Sequence, residues 1–210
     1  MSNPWLSIPL EDYEGHMGSP DVRQLTVLAD LFRCALGYCL PESVAVLGVA
    51  GDNGLEQIDC AVTKRIAGVD INQRYLDEVR RRWGALPGLE LHCCDLRREL
   101  FNALAPVELV HAALVFEHAG LGLALENALS LVAPGGRLSV VLQLPGNDES
   151  GVASTGYVSM RSLTPDFALI EIAEFQRLLA LEGFHLVERQ WRPLPSGKAF
   201  WFGLFTRSDP

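Results

Sequence analysis

The sequence predicts an α/β fold, a largely parallel sheet flanked by helices and closed by an antiparallel hairpin. Three observations predict it. Short, continuously apolar runs alternate with helix-patterned segments from Ser43 onward, as in a parallel sheet buried on both faces. The alternation fails only at the end, where the connection Arg192–Lys198, with Pro193, Pro195 and Gly197, is too short for a crossover helix. The chain of 210 residues, 49% apolar and 20% charged, suits a single globular domain with a core of its own.

In chain order, the front segment Trp5 to Gly18 is neither clearly helical nor clearly strand. Ser19-Pro20-Asp21 predicts a cap followed by proline in the first helical turn, and Leu25, Leu28, Phe32, Ala35 and Cys39 mark the buried face of that helix up to Pro41. Strands are expected at Val44–Leu47, Ile66–Val69, Leu89–Cys93, Leu109–Phe116 and Leu138–Leu144. Between them, Asn72 caps a helix with the inner stripe Leu76, Val79 and Trp83. Further helices are expected at about Leu96–Leu104 and about Gly120–Val132, the latter ending before the turn Pro134-Gly135-Gly136. A last helix, about Asp166–Glu182, stops at Gly183, and Phe184–Trp191 pairs with Ala199–Thr206.

The formal charge of −9 disfavours general nucleic-acid binding, which draws its affinity from phosphate neutralisation. Arg80, Arg81, Arg82, Arg97 and Arg98 are read as solvated helix faces rather than a basic patch. No run reaches the roughly 20 apolar residues of a membrane span, and no secretory leader is recognisable at Met1–Leu10. Five cysteines without a C-x-x-C pair suggest neither a disulfide framework nor a zinc site. His92, His111 and His185 lack close ligand partners. The expectation is a cytoplasmic protein without a metal.

Chemistry concentrates after the first strand, in Gly48-Val49-Ala50-Gly51-Asp52-Asn53-Gly54-Leu55-Glu56. Glycines there let a ligand approach the backbone at the carboxyl ends of the strands. Asp70 ends the second strand 22 positions after Gly48, where an acid commonly accepts bonds from ribose hydroxyls. Asp95 ends the third strand, placed to meet an adenine amino group. Three ligand-grade positions at three successive strand ends predict a nucleoside site.

With these features, Phe116-Glu117-His118 after strand four and the terminal hairpin, the chain resembles the class I S-adenosylmethionine-dependent methyltransferases from roughly Ser43 to Arg207. The resemblance implies a Rossmann-like, doubly wound seven-stranded sheet whose last strand inserts antiparallel beside the sixth. It implies S-adenosylmethionine as cofactor and a small molecule as methyl acceptor. Gly48, Ala50 and Gly51 would line the aminocarboxypropyl arm, and Val49, Asn53 and Ile71 would also belong to the cofactor site. Asp70 would bind the ribose, Asp95 and Leu96 would frame the adenine, and Leu114, Val115 and Phe116 would form the floor beneath the sulfonium. The acid that the family carries two positions before its first glycine is Val46 here, and Glu56 is the candidate to replace its contacts.

Glu117, His118 and His16 are the candidate catalytic groups. Tyr13 and Met17 are expected at the cofactor or acceptor pocket, under a layout in which residues 1–42 cover the site and 43–210 form the catalytic unit. In the long stretch Pro145–Pro165, Tyr157, Met160 and Arg161 are the side chains suited to grip an acceptor. Two alternatives remain: an NAD-dependent oxidoreductase and a non-catalytic binding protein on the same fold. Asp52 and Glu56 oppose the first, since they would repel a diphosphate.

Overall fold

A computed structural model describes residues 3–146, 152 and 155–208. The chain opens with a single turn at Pro4–Leu6 and two helices, α1 (Leu10–Gly18) and α2 (Gln24–Cys39). There follow β1 (Ser43–Leu47), β2 (Arg65–Asp70), α3 (Gln73–Trp83), β3 (Leu89–Cys93) and β4 (Val107–Ala113). The second half holds α4 (Phe116–Ala119), α5 (Leu123–Ser130), β5 (Val132–Leu144), α6 (Ile172–Leu181), β6 (Phe184–Pro193) and β7 (Ala199–Arg207).

The seven strands form one sheet in the order β3-β2-β1-β4-β5-β7-β6. β1 to β5 pair in parallel, and β7 inserts antiparallel between β5 and β6. The fold is the doubly wound α/β sheet that the alternation predicts. Successive β1 residues divide between its two faces, as a pleat of period two requires. Val44 and Val46 join the core shared with α1, α2 and α3, whereas Ala45 and Leu47 join the one built around Phe116, Phe175 and Trp201. Strand order reverses between β1 and β4, which opens a crevice beyond their carboxyl ends. No helix among the described residues is long and apolar enough to cross a membrane.

Local details depart from the sequence expectations for identifiable reasons. The front segment is helical at Leu10–Gly18, with Glu11 and Asp12 in its first turn and Tyr13, His16 and Met17 on its buried face. Ser19-Pro20 makes a tight turn between two helices instead of a cap; Val22 and Arg23 donate to the Ser19 carbonyl, and α2 begins only at Gln24. No helix forms over Leu96–Leu104. Asn127, buried on α5, instead donates to the Leu96 and Glu99 carbonyls (3.0 and 2.7 Å) and accepts from the Phe101 amide (2.8 Å). One side chain thereby satisfies backbone groups that a helix would otherwise have paired.

The turn expected at Pro134-Gly135-Gly136 is absorbed into β5 as an irregularity, since Val107 pairs with Val132 but Leu109 already pairs with Arg137. The helix expected from Asp166 starts at Ile172, after a tighter 3₁₀ stretch over Val158–Asp166.

Candidate active site

The chain leaves β1 through a turn that ordinary side chains tolerate poorly. Gly48 has φ +67°, and Ala50 and Asn53 follow with φ 47° and 34°. Gly48 and Val49 both donate to the Val69 carbonyl at the end of β2 (2.8 and 3.1 Å). Ala50 donates to Oδ2 of Asp70 (2.9 Å), whose other oxygen takes the Asn72 amide (2.8 Å). Asp70 therefore fastens the glycine turn to the end of β2 as well as facing the crevice. Burial pushes its carboxyl up to about 6, against the pull of those amides.

Asn53 locks the turn from the other side. Its Nδ2 donates to the Gly48 carbonyl (2.7 Å), and its Oδ1 accepts from the Tyr13 hydroxyl (3.2 Å). Helix α1 is thus tied to the glycine turn by one amide side chain. Further ties hold the front segment down: Asn72 donates to the Trp5 carbonyl and Tyr75 to that of Ile8 (2.8 and 2.9 Å). Glu14 pairs with Arg82 of α3, and Asp12 accepts from Ser159 (2.6 Å).

One cavity at the β1/β4 reversal gathers most of the predicted residues. Tyr13, His16, Met17, Gly48, Ala50, Asn53, Asp70, Ile71, Asp95, Leu96, Leu114, Val115 and His118 all line it. Three of the five described non-glycine residues with positive φ, Ala50, Asn53 and Leu114, lie in its wall. Such strain costs of order 1–3 kcal/mol per residue and collects where surrounding structure enforces a function.

Other predicted residues lie behind the wall. Val49 and Phe116 are buried in the two cores, and Gly51 abuts Glu14 so closely that a β-carbon would strike its carboxylate. Glu117, a candidate catalytic group, is not in the wall. It is 1% exposed, and Oε1 accepts the Gln143 amide of β5 (2.7 Å) while Oε2 has no partner. Burial raises its pKa to about 7. Glu56 is exposed, bonds Gln57 and does not reach the cavity, so it does not replace the acid absent at Val46, itself a core residue. Of the acceptor candidates in the long stretch, Met160 lines the cavity; the Tyr157 ring packs over Gly15, and Arg161 is exposed.

Both histidines in the wall are held toward the neutral form. His118 stands edge-on to Trp5 and Phe167 (5.0 and 5.3 Å between ring centres), and burial lowers its pKa to about 4. Nδ1 of His16 lies 2.8 Å from the Thr155 hydroxyl, and burial followed by the charge of Lys198 lowers its pKa. The wall also holds Trp5, Gln24, Tyr75, Arg97, Gln143, Leu163 and Phe167, none of which the sequence reading selects as cavity residues. The i, i+3, i+4 spacing of Tyr13, His16 and Met17 was the signal that could have revealed α1; nothing local flags Gln24 or Gln143.

This architecture is the class I methyltransferase fold, as solved structures show. The N-methyltransferase NodS from Bradyrhizobium japonicum WM9, in complex with S-adenosylhomocysteine, matches with a TM-score of 0.65 and 16% identity over 98% of this chain and 99% of its own. The magnesium protoporphyrin IX methyltransferase ChlM from Synechocystis PCC 6803, with bound S-adenosylhomocysteine, gives 0.71 and 14%, covering 97% and 96%. The cyclase SpnF gives 0.68 and 10%, covering 90% and 84%. No protein-family model and no curated protein matches the sequence.

Proposed function

We propose that the chain is an S-adenosylmethionine-dependent methyltransferase acting on a small-molecule acceptor. The observation that carries this reading is the convergence of Asp70, Asp95 and the strained Gly48–Asn53 turn on one capped cavity at the strand-order reversal. The wall fits the cofactor. Asp70 lines the cavity with both carboxylate oxygens already held by backbone amides, and two oxygens with about four acceptor sites leave it able to take a hydroxyl as well. Asp95 and Leu96 would frame the base, and the apolar Leu114 and Val115 would pack beneath the sulfonium. The solved neighbours NodS and ChlM, which bind S-adenosylhomocysteine, support the same assignment.

When bound, the cofactor supplies a methyl group already activated for displacement. The protein's own residues then have to align the acceptor and exclude water. Trp5, Tyr13 and Met17 close the cavity from the front segment. His118 and His16, uncharged at neutral pH, are the groups able to receive a proton from an acceptor that must lose one. Glu117 holds β5 from behind the wall and belongs to the scaffold in this reading.

A dinucleotide fits less well. The loop after β1 leads only into the single turn Leu55–Gln57, so no helix N-terminus faces a diphosphate, and Asp52 and Glu56 add negative charge. Titration calorimetry with S-adenosylmethionine, S-adenosylhomocysteine and NAD separates the readings: the first two bind and NAD does not. Asp70→Ala weakens S-adenosylhomocysteine at least about tenfold, or about 1.4 kcal/mol. Absence of heat with both sulfur nucleosides sinks the proposal.

A further inference from the structure

We infer that the methyl acceptor carries an anionic oxygen group, a carboxylate or phosphate, bound by Arg97. The inference rests on the cofactor assignment above and concerns the part of the same cavity that the cofactor leaves free. Away from the glycine turn and the Asp95 carboxylate the wall is apolar or uncharged, as at Trp5, His118, Met160, Leu163 and Phe167. Arg97 is the one lysine or arginine in the wall among the described residues.

Its guanidinium is poorly used by the protein. Of five N–H donors, one reaches the His118 carbonyl at 3.4 Å, and the nearest Asp95 oxygen stands at 3.6 Å, beyond hydrogen-bond length. Asp95 has another donor, since its Oδ1 accepts the Arg97 main-chain amide (3.1 Å), and Arg98 stands 3.6 Å from its other oxygen on the outer side. Two cations thus flank one carboxylate. The inner one has its side chain 27% exposed and the outer one 66%, so Arg97 sits at the cavity rim and Arg98 outside it.

A half-buried guanidinium with free donors recognises a carboxylate or phosphate through paired N–H···O bonds. Through the His118 carbonyl, Arg97 is joined to the residue whose ring packs against Trp5 and Phe167. A compact aromatic acid would therefore place its ring on apolar wall and its anion at the rim. A neutral acceptor would leave Arg97, the one arginine or lysine of the wall among the described residues, unused.

The test takes the protein loaded with S-adenosylhomocysteine and measures, by calorimetry and thermal shift, matched probe pairs. These are para-hydroxybenzoate and indole-acetate beside their primary amides, and phenyl phosphate beside phenol. The acids are expected to bind roughly tenfold more tightly than their neutral partners, the size of a charge-assisted pair. The two acid classes show which anion is preferred. Arg97→Gln should abolish the difference while leaving S-adenosylhomocysteine affinity within about threefold. Arg98→Gln, which also removes a cation from Asp95, should preserve it.

Acids binding no better than amides, or a preference that survives Arg97→Gln, overturns the inference. So does a cofactor affinity that collapses in Arg97→Gln, since Arg97 would then serve the cofactor. Failure of the wild-type protein to bind S-adenosylhomocysteine at all instead condemns the parent reading, and the two failures are thereby distinct.

Discussion

Asp70 performs two tasks with one carboxylate. Its backbone bonds to Ala50 and Asn72 hold the turn, and the same residue lines the cavity. Because burial raises its pKa from 3.8 to about 6, the ionised form that best accepts hydroxyls is only partly populated in mild acid. Affinity for S-adenosylhomocysteine is therefore expected to rise several-fold between about pH 5 and pH 7 and then level off. Calorimetry across that range checks it, and Asp70→Asn should flatten the profile. For folding the same shift has the opposite sign: the native chain binds more protons than the unfolded one between about pH 4 and 6, so this group's contribution to stability falls as pH rises through that window. The position of Asp70 is legible in sequence from its distance to Gly48. Its grip on Ala50 is not, because that bond exists only once Ala50 adopts positive φ, a conformation that sequence assigns to glycine. Glu117 and His118 show the same limit: adjacent residues face opposite ways, one behind the wall and one into the cavity.

Elements are legible where burial imposes a period and obscure where a distant side chain overrides it. The stripe Leu76, Val79 and Trp83 announces α3, and uniformly apolar runs announce the central strands. Residues 96–104 carry buried Leu96, Phe101 and Leu104 at helix-compatible spacing, yet Asn127, far along the chain, draws their backbone into turns. This makes Asn127 the structural support of the segment that carries Asp95, Leu96 and Arg97. Asn127→Ala strands the buried Leu96 carbonyl and Phe101 amide, at about 1–3 kcal/mol for each unsatisfied group, while the half-buried Glu99 carbonyl can turn to water. The expected outcome is a loss of roughly 2–4 kcal/mol in urea unfolding together with weaker S-adenosylhomocysteine binding, although Asn127 does not line the cavity. Stability lost without any change in affinity would show that the 96–104 segment does not depend on α5 for its placement. Helix α1 escaped notice for a related reason. Its nine residues include two glycines and little apolar surface, so it is fixed by its ties to Asn53, Arg82 and Ser159.

At the scale of the whole molecule, sequence supplies the alternation of strands and helices, and topology turns it into a site. The reversal between β1 and β4 places the ends of three strands, read separately as acids and glycines, around one opening. The front of the chain completes that opening and also shares the main core. Leu31, Phe32 and Ala35 of α2 are fully buried, and Phe32 stacks on His111 of β4 at 4.4 Å between ring centres. His111 is itself fastened to Ser139 of β5 (2.9 Å) and kept neutral by burial, which lowers its pKa to about 3. Residues 3–42 are thus bound to the sheet through the same apolar contacts that hold its strands together, and separating them would expose the core. One cooperative unfolding transition is expected in scanning calorimetry, with calorimetric and van't Hoff enthalpies in agreement. S-adenosylhomocysteine at about 100 times its dissociation constant should add about 2.7 kcal/mol and raise Tm by roughly 5–10 °C without splitting the peak. If the ligand instead separates an early transition from a late one, the front segment melts independently, and the cavity it closes would open before the sheet unfolds.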